Sequence, residues 1–349
     1  MTNTLFGKDI LATNDLTKDE LDQILDLSIR LKKKGVAARS LDILKGLTLL
    51  LLFFYPSTRT RISFTAAMHQ LGGFVQCPAP GDLRLSLEEK SGTGESIRDT
   101  ALVTERYVDV LGIRHLTTIP DENGVPRLGG GEAITRKFAE LAHIPVLSLA
   151  SDMHHPTQAI ADLMVMQESL GDVKRKKLVI MWTYSPLMRV QVSPISTMLI
   201  GGTYGMDVTC VYPGGYDLHP QLMSQVEAEC LKGGGKLTYS HDLKSALEGA
   251  DVVYPRHWVT NDNYIHPKEE EIRLAAQHKD WRLTEAWLKE TNNARFIHCM
   301  PFDRGNEVDD SVADGANSVV YDQAENLLHV RKASLLSTLV ADENVLKSI

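Results

Sequence analysis

Hydrophobic and polar positions follow two different periods in the first part of this chain. Residues 13–35 open with polar residues suited to capping and continue with apolar residues at steps of three and four, which predicts an amphipathic helix. Residues 47–54 are apolar at nearly every position, a pattern typical of a strand covered on both faces of a parallel sheet. Residues 61–73 then predict a helix that ends at Gly72 and Gly73.

The alternation of strand and helix continues along the rest of the chain. Apolar strand candidates that end in polar or aromatic residues occur at 107–116, 144–152, 177–185, 206–215, 250–258 and 295–301. Helical patterns occupy 155–171, 221–235, 240–250 and 283–293. Regular alternation predicts an α/β fold with parallel sheets, in which ligands bind beyond the carboxyl ends of the strands.

The length of the chain predicts more than one domain. At 349 residues it exceeds what one compact core usually covers, so we expect two domains. We place the change near residues 151–158, which gives a first domain of residues 1–152 and a second of residues 153–322. A final helix within residues 323–349 is expected to pack back on the first domain.

Composition and charge exclude several classes of protein. With 43% hydrophobic and 23% charged residues, the chain resembles an ordinary globular protein. A formal net charge of -8 disfavours nucleic acid and acidic membranes as partners, so an anion site needs a local cluster of positive charge. The run at 47–54 is too short to span a bilayer, the start of the chain does not resemble a signal peptide, and a cytoplasmic location is expected. The cysteines lack metal spacing and suggest free thiols, with neither zinc nor a disulfide framework: Cys77, Cys210, Cys230 and Cys299.

The most informative polar residues follow the apolar run at 47–54. Hydroxyl and guanidinium groups at 57–61 stand where a strand passes into a helix, and a helix N-terminus favours a bound anion. A guanidinium can also hold two phosphate oxygens in a planar fork, so the segment predicts a phosphate site. The alternative is a capped helix with surface arginines. Arg114 ends another strand candidate, and His155 and Gln158 lie one helical turn apart, so all three could converge above the sheet.

Four segments together resemble the aspartate and ornithine carbamoyltransferase superfamily: STRTRISF, GESIRDTA, HPTQAIADL and HCMP. The resemblance runs in order through nearly the whole chain. It implies that the phosphate of carbamoyl phosphate is held by Ser57, Thr58, Arg59 and Thr60. It further implies that Arg114, His155 and Gln158 reach the phosphate and the carbamoyl oxygen. In the HCMP segment, Cys299 would orient the amine, and carbonyls of Cys299 and Met300 would hold the carbamoyl NH2 group.

The resemblance also implies a mechanism and an assembly. A neutral amine attacks the carbamoyl carbon, Arg114 and His155 stabilise the negative charge that develops on its oxygen, and phosphate leaves without a metal or organic cofactor. The family forms trimers with active sites shared between subunits. Here Arg84 or Lys90, in the loop at 81–96, would reach the neighbouring site, although Thr93 stands where aspartate carbamoyltransferases place a lysine. The alternative for this loop is a solvated charged surface.

The acceptor is expected to carry a carboxylate. By resemblance, the ornithine enzymes of the superfamily carry an S-M-G loop that holds the amino acid, and residues 250–292 contain no such segment, which disfavours ornithine itself. Residues 182–194 and 252–258 resemble the knotted branch of the superfamily, which includes the N-acetylornithine and N-succinylornithine enzymes. A proline-rich loop in the second domain would then be threaded as a trefoil knot, an exception to the near-absence of knots. The resemblance assigns the acceptor to Arg256 and Trp258, with Arg189 in the knotted loop as a further contact.

Two alternative functions remain open at this point. Residues 302–320 resemble aspartate carbamoyltransferase, whereas HCMP departs from its H-P-x-P segment. Leu327 stands where the family commonly has an arginine, and Arg331, one turn later, resembles an aspartate-type arginine. The other alternative is a catalytically silent member that binds carbamoyl phosphate.

Overall fold

The computed structural model describes residues 3–79, 82–85, 94–116, 119–120, 126–264 and 266–349. Within these residues the chain divides into two compact units. The first comprises Met1–Pro120, Arg127–Thr157 and Asn326–Ile349, and the second is formed mainly by Gln158–Glu325. Each unit contains a parallel sheet with helices, which confirms the predicted α/β architecture with two domains. The assignment of one substrate to each domain remains a prediction.

The strands form two main sheets. In chain order they are β1 (Thr48–Phe53), β2 (Phe74–Gln76), β3 (Val110–His115), β4 (Ile119–Pro120), β5 (Pro126–Arg127), β6 (Val146–Ser151), β7 (Lys177–Trp182), β8 (Asp207–Val211), β9 (Lys236–Ser240), β10 (Val252–Arg256) and β11 (Arg295–Phe296). The first unit has the order β2-β1-β3-β6, and the second has β11-β10-β7-β8-β9. All neighbours in both sheets are parallel. Strands β4 and β5 pair separately.

Helices connect the strands. In chain order they are α1 (Lys18–Lys34), α2 (Thr58–Gln70), α3 (Ile97–Thr104), α4 (Gly130–Leu141), α5 (Pro156–Leu170), α6 (Val192–Thr203), α7 (Pro220–Gly233), α8 (Leu243–Leu247), α9 (Lys268–Ala275), α10 (Glu285–Lys289), α11 (Asp310–Ala313), α12 (Val320–Leu339) and α13 (Glu343–Ser348). The predicted first helix is confirmed. Thr17 and Glu20 form a capping box at the start of α1, and Gly35 ends it with a positive φ of 59°.

Strand β1 is an interior strand of the first sheet, paired with β2 on one side and with β3 on the other. Five of its six residues are buried, which confirms the interpretation of the apolar run at 47–54 as an interior strand. On β3, Gly112 allows close packing, since a Cβ there would lie 2.9 Å from a Leu51 methyl group and 3.0 Å from a Leu149 methyl group. The core of the first unit therefore holds the carboxyl ends of β1, β3 and β6 in fixed positions.

Each main sheet contains one point where the order of connections reverses. In the first unit the chain passes from β1 to β2 on one side and to β3 on the other. In the second unit it passes from β7 to β8 and β9 on one side, and then to β10 and β11 on the other. Such reversals leave a crevice beyond the carboxyl ends of the two central strands, where ligands of α/β proteins bind. The residues that follow β1 and β3 in the first unit, and β7 and β10 in the second, therefore stand where a ligand is expected.

Candidate functional site

The segment after β1 forms the N-terminus of α2. Ser57 has extended backbone angles and caps the helix without a hydrogen bond from its hydroxyl to the first turn. Thr58 is exposed, Arg59 is half-buried and Thr60 is buried. The free N–H groups of a first helical turn carry partial positive charge. This end of α2 therefore offers backbone donors, hydroxyls and a guanidinium to an anion.

Arg114 stands beside this segment because of the register between β1 and β3. Its Cα pairs with that of Phe53, the last residue of β1, and its carbonyl accepts a hydrogen bond of 2.9 Å from Phe54 N. The side chain is half-buried, and Nη1 donates to the Leu149 carbonyl at 3.2 Å. The sheet thus places a second guanidinium next to the strand end that leads into α2.

His155 follows the third strand end of the same sheet. A tight turn leads to it from β6, in which Ser151 Oγ accepts from Met153 N at 3.1 Å and from His154 N at 2.8 Å. Burial lowers the pKa of His155 well below its usual value, and the positive charges of Arg114, Arg331 and Arg59 lower it further. His155 is therefore a neutral imidazole at pH 7, held close to three arginines.

Arg331 on α12 completes this positive cluster. Its side chain is fully buried, its Nη1 donates to Ser63 Oγ, and its guanidinium lies over the Phe64 ring, 4.7 Å from the centroid. Burial lowers its pKa to about 9, and the charges of Arg114 and Arg59 act in the same direction. An anion bound among these three guanidinium groups would relieve both the burial cost and the repulsion.

In the second unit, the loop after β11 is held by hydrogen bonds from several elements. We call residues 298–301 the HCMP loop. Cys299 N donates to Tyr254 Oη at 3.1 Å, and Met300 N donates to His298 Nδ1 at 2.7 Å. Arg256 Nη1 donates to the Pro301 carbonyl at 3.2 Å. These bonds fix the backbone that carries the predicted carbonyl contacts.

Glu307 fixes the base of this loop. Its carboxylate is fully buried and accepts hydrogen bonds of 2.7 Å from the backbone N–H groups of His257 and Asp303. Burial opposes the negative charge, but the His298 ring, Arg256 and the His257 N–H together hold the pKa of Glu307 below its usual range. Burial lowers the pKa of His298 to about 4, so its ring is neutral at pH 7.

The predicted acceptor residues occupy different environments. Arg256 ends β10 and is buried against the HCMP loop. Arg189 is half-buried, and its charge contributes to the lowered pKa of His257 and of His298, after burial and the other groups around them. Trp258 is fully buried in the second unit, and its Nε1 donates to the Tyr216 carbonyl at 2.9 Å. Both arginines therefore lie near the HCMP loop, whereas Trp258 belongs to the core behind it.

The remaining predicted residues are placed as follows. Gln158 is buried on α5, and its Nε2 donates to Asp162 Oδ1 at 2.7 Å. Arg84 is exposed, and its carbonyl accepts from Glu95 N at 2.7 Å. Lys90 and Thr93 lie outside the described residues.

In the part of the chain that the structure describes, no cluster of three His, Cys, Asp or Glu side chains could hold a metal ion. Within that same part, no helix has the length and apolar character needed to cross a bilayer.

The structure also adds two residues that sequence reasoning did not place in a site. The sequence offers Arg331 only as a resemblance, and the apolar residues on either side of Arg331 and Lys332 are the available signal that both side chains are buried. Asp162 was not singled out, yet it is a fully buried carboxylate that binds the predicted site residue Gln158. Its position four residues after Gln158, on the same helix face, was the available signal.

Comparisons with known proteins agree along the whole chain. A family model for the aspartate/ornithine carbamoyltransferase carbamoyl-P binding domain matches residues 8–168, and the model for the Asp/Orn binding domain matches residues 189–338. An ornithine carbamoyltransferase of Halalkalibacterium halodurans is 33% identical over 97% of this chain and 97% of its own. An N-acetylornithine carbamoyltransferase of Xanthomonas axonopodis pv. citri is also 33% identical, over 93% of this chain and 95% of its own. A crystal structure of acetylornithine transcarbamylase complexed with acetylcitrulline has a TM-score of 0.87 and 32% identity, covering 95% of this chain and 99% of that one.

Proposed function

The chain belongs to the aspartate/ornithine carbamoyltransferase family, and on that premise we propose that it carbamoylates an amine. The carbamoyl group moves from carbamoyl phosphate to the amino group of a carboxylate-bearing acceptor, an amino acid or an N-acylated diamino acid, and phosphate is released. The observation that carries this function is the positive cluster of Arg59, Arg114 and Arg331 around the neutral His155.

The phosphate group of carbamoyl phosphate is assigned to the N-terminus of α2. Ser57, Thr58 and Thr60 supply hydroxyls, and the first-turn N–H groups add backbone donors. Arg59 and Arg114 supply the charge, and the buried Arg331 adds to it. A dianionic phosphate is the ligand that this concentration of positive charge and donors recognises best.

The reaction follows from charge placement. The amine nitrogen forms a bond to the carbamoyl carbon while the bond between that carbon and the phosphate oxygen breaks. Negative charge develops on the carbamoyl oxygen, which Arg114 and the N–H of neutral His155 stabilise. The departing phosphate accepts the proton that the amine loses. Every atom and proton is accounted for by the two substrates, and no step requires a metal or an organic cofactor.

The carbamoyl NH2 group is assigned to the HCMP loop and to Gln158. The carbonyls of Cys299 and Met300 lie in the HCMP loop, whose backbone is held in place. Because Gln158 Nε2 donates to Asp162, the amide presents Oε1 as its open end. An oxygen accepts from an N–H group, so we assign Gln158 to the carbamoyl NH2 rather than to the carbamoyl oxygen.

The acceptor carboxylate is assigned to Arg189 and Arg256, which place two positive charges near the HCMP loop. Trp258 supports this region from the core, and its direct contact with the acceptor stays a prediction. The ornithine and the N-acetylornithine enzymes compared above are both 33% identical to this chain, so identity alone does not choose between their acceptors. Because residues 250–292 lack the S-M-G segment that the resemblance associates with ornithine, an N-acylated acceptor is favoured over free ornithine.

The trefoil knot belongs to this proposal and is supported by contacts of the proline-rich loop. Arg189 O accepts from Val259 N at 3.2 Å, Tyr184 N donates to Trp281 O at 2.8 Å, and Ser185 Oγ donates to Asp303 at 2.8 Å. Three later parts of the second unit are therefore bonded to this one loop. A threaded loop would need such contacts on several sides to keep its shape.

The homotrimer and the cytoplasmic location are also part of the proposal. The exposed Arg84 stays a candidate for the neighbouring subunit's site. All four cysteines are free thiols, which supports a reducing compartment.

Aspartate is not favoured as the acceptor. In the segment that resembles aspartate carbamoyltransferase, Arg304 pairs with Asp310 at 2.7 Å and Asp314 at 2.8 Å. Glu307 in the same segment binds backbone N–H groups. These residues serve the local structure, so the resemblance there carries no information about the acceptor.

The proposed function is tested by phosphate release from carbamoyl phosphate in the presence of different amines. The panel comprises N-acetylornithine, N-succinylornithine, ornithine, aspartate and lysine, with product masses measured for each. We expect release above the uncatalysed rate with an N-acylated diamino acid, and a product heavier by one carbamoyl group. Release that is independent of every amine, or no release at all, would contradict the function.

A further inference from the structure

Asp162 occupies the centre of a buried hydrogen-bond network in the second unit. Its side chain is fully buried on α5. Oδ1 accepts from Gln158 Nε2 at 2.7 Å and from Gln323 Nε2 at 2.5 Å. Oδ2 accepts from Thr197 Oγ1 at 2.6 Å. Burying a carboxylate costs free energy unless hydrogen bonds replace its contacts with water. In Asp162 three neutral donors supply those bonds.

The network continues to the HCMP loop. Gln323 lies in α12, and while its Nε2 donates to Asp162, its Oε1 accepts from His298 N at 2.8 Å. His298 is the first residue of the HCMP loop. A continuous series of bonds therefore runs from the Gln158 amide through Asp162 and Gln323 to the backbone of that loop. One end of the series, the Gln158 amide, is assigned above to the carbamoyl NH2. The other end is in the loop whose Cys299 and Met300 carbonyls share that assignment.

We propose that Asp162 is a positioning residue, which orients the Gln158 amide and, through Gln323, holds it at a fixed distance from the HCMP loop. This inference rests on the proposed function, because it concerns how that reaction's carbamoyl group is received. The proposal gives Asp162 no contact of its own with either substrate.

The orientation of Gln158 needs such a partner. The terminal torsion of a glutamine is broad and close to two-fold, so an unrestrained amide exposes its oxygen or its nitrogen with similar ease. Only the form with Oε1 exposed accepts from an NH2 group. A carboxylate that accepts from Nε2 disfavours the flipped form, in which two oxygens would face each other.

Thr197 lets the network keep this orientation in both charge states of Asp162. Its hydroxyl has one proton and two acceptors within reach, Asp162 Oδ2 at 2.6 Å and the Ser193 carbonyl at 2.9 Å. When Asp162 is ionised, the Thr197 proton points to Oδ2. When Asp162 is protonated on Oδ2, it donates to Thr197, whose proton turns to Ser193. In both states Oδ1 accepts from the two amides.

The change in direction of the Thr197 hydroxyl matters because the pKa of Asp162 is close to neutral pH. Burial raises its pKa to about 6, and the bonds from Thr197, Gln158 and Gln323 oppose the rise. The phenol of Tyr254 is close enough to Asp162 for the two groups to interact electrostatically. Burial raises the pKa of Tyr254 well above its usual value, so this phenol is neutral. The network therefore holds Gln158 in one orientation while the charge beside it changes.

A double-mutant cycle tests the inference. The variants are Asp162→Leu, Gln158→Ala and the double variant, with Asp162→Asn as the matched control. Asparagine can accept from both amides through Oδ1 and donate to Thr197 through Nδ2, so it preserves the bonding pattern.

The readouts are the dissociation constant of carbamoyl phosphate by calorimetry and kcat/KM from phosphate release. We expect Asp162→Leu to lower kcat/KM by about tenfold to a hundredfold, the range for a hydrogen bond to a charged group. Asp162→Asn should change kcat/KM by less than about threefold. The double variant should have the same kcat/KM as the less active of the two single variants.

Two results would overturn the inference while leaving the proposed function intact. One is additive losses in the double variant, which would show that Asp162 does not act through Gln158. The other is an equal loss in Asp162→Asn and Asp162→Leu. If Asp162→Leu does not fold, Gln323→Leu takes its place in the cycle and its effect must likewise shrink in the Gln158→Ala background. A wild-type protein that neither binds carbamoyl phosphate nor releases phosphate would instead refute the proposed function, and this inference with it.

Discussion

Arg114 and Phe53 are register partners on the adjacent parallel strands β3 and β1. Phe53 is the last residue of the strand that leads into α2, so this pairing sets a guanidinium beside the N-terminus of that helix. The order of strands reverses between β1 and β3, which is where α/β sheets leave room for a ligand. The register of the sheet therefore explains why Arg114 stands beside the residues that begin α2.

Replacing Arg59 by alanine should abolish most turnover without unfolding the protein. Arg59 is half-buried at the end of α2, and its backbone carbonyl, which accepts from Ser63 Oγ and from Arg331 at 3.5 Å, is retained in the variant. Loss of one charged contact to phosphate should raise the dissociation constant of carbamoyl phosphate by about tenfold to a hundredfold. Arg106→Ala is the control, since its side chain is 78% exposed. Wild-type phosphate release by the folded Arg59→Ala variant would remove Arg59 from the site.

Inorganic phosphate should stabilise the protein, and Arg331 should be required for part of that effect. A ligand that binds only the folded state at a hundred times its dissociation constant adds about 2.7 kcal/mol to the free energy of unfolding. Arg331→Met removes a buried charge whose pKa is already lowered by burial and by its neighbours, so the phosphate-induced rise in Tm should shrink.

Lys332→Met is the matched control for Arg331. Lys332 is also buried, but its Nζ donates to the Ala38 carbonyl at 2.6 Å, and its pKa is lowered by burial and by Arg39 rather than by the site arginines. Its variant should keep the full phosphate-induced rise in Tm. An equal rise in wild type and Arg331→Met would show that Arg331 does not contribute to the anion site.

Arg256→Ala should act chiefly on the acceptor. Arg256 is buried at the end of β10, and the variant removes its charge while leaving the HCMP loop bonded to Tyr254 and Gln323. The KM for the acceptor should rise about tenfold or more, and Arg256→Lys, which keeps the charge, should lose less. Steady-state kinetics with each substrate varied in turn separate the two effects. An unchanged acceptor KM together with weakened binding of carbamoyl phosphate would transfer Arg256 to the donor side.

Stability should fall in mild acid because two buried histidines resist protonation. Burial lowers the pKa of His257 and of His298 from the usual 6.5 to about 4. For a base with a lowered pKa, the folded state prefers the neutral form. The contribution of each histidine to the free energy of unfolding is therefore complete above pH 6.5 and is lost as pH falls towards 4. Each histidine should contribute a slope of about 1.4 kcal/mol per pH unit in this window.

Denaturant unfolding at pH 7, 6 and 5 measures that slope. His298→Gln and His257→Gln should each reduce it, and the double variant should reduce it further. Because burial raises the pKa of Asp162 to about 6, that carboxyl adds a slope of the opposite sign below pH 6, so the test compares variants with wild type. The same slope in wild type and in both glutamine variants would mean that neither ring is buried in its neutral form.

Much of the fold and part of the site followed from local sequence pattern. The apolar run at 47–54 and the polar residues after it predict β1 and the start of α2. Strand ends elsewhere predict Arg114 and His155 as site residues, and the structure brings both close to Arg59. Such signals are local, because strand burial and helix capping depend on residues close together in the chain. The family resemblance then supplied the donor and the reaction.

What the sequence could not show depends on packing between distant segments. Arg331 is separated from Arg59 by 272 positions, and Gln323 from Asp162 by 161, yet each pair is bonded in the structure. Trp258 illustrates the same point, since only the fold shows that its N–H is used by the Tyr216 carbonyl and that its ring is buried. Periodicity indicates that a helix face is buried, but not which residues it meets.

The central claim is carbamoyl transfer, and the most direct test follows the carbamoyl carbon itself. The protein is mixed with 13C-labelled carbamoyl phosphate and N-acetylornithine or N-succinylornithine, and the label is followed by NMR. We predict that the label moves from carbamoyl phosphate to a ureido carbon on the acceptor, with one phosphate released for each ureido group formed. Label that leaves carbamoyl phosphate only at the rate seen without protein, for each amine of the acceptor panel, would contradict the account.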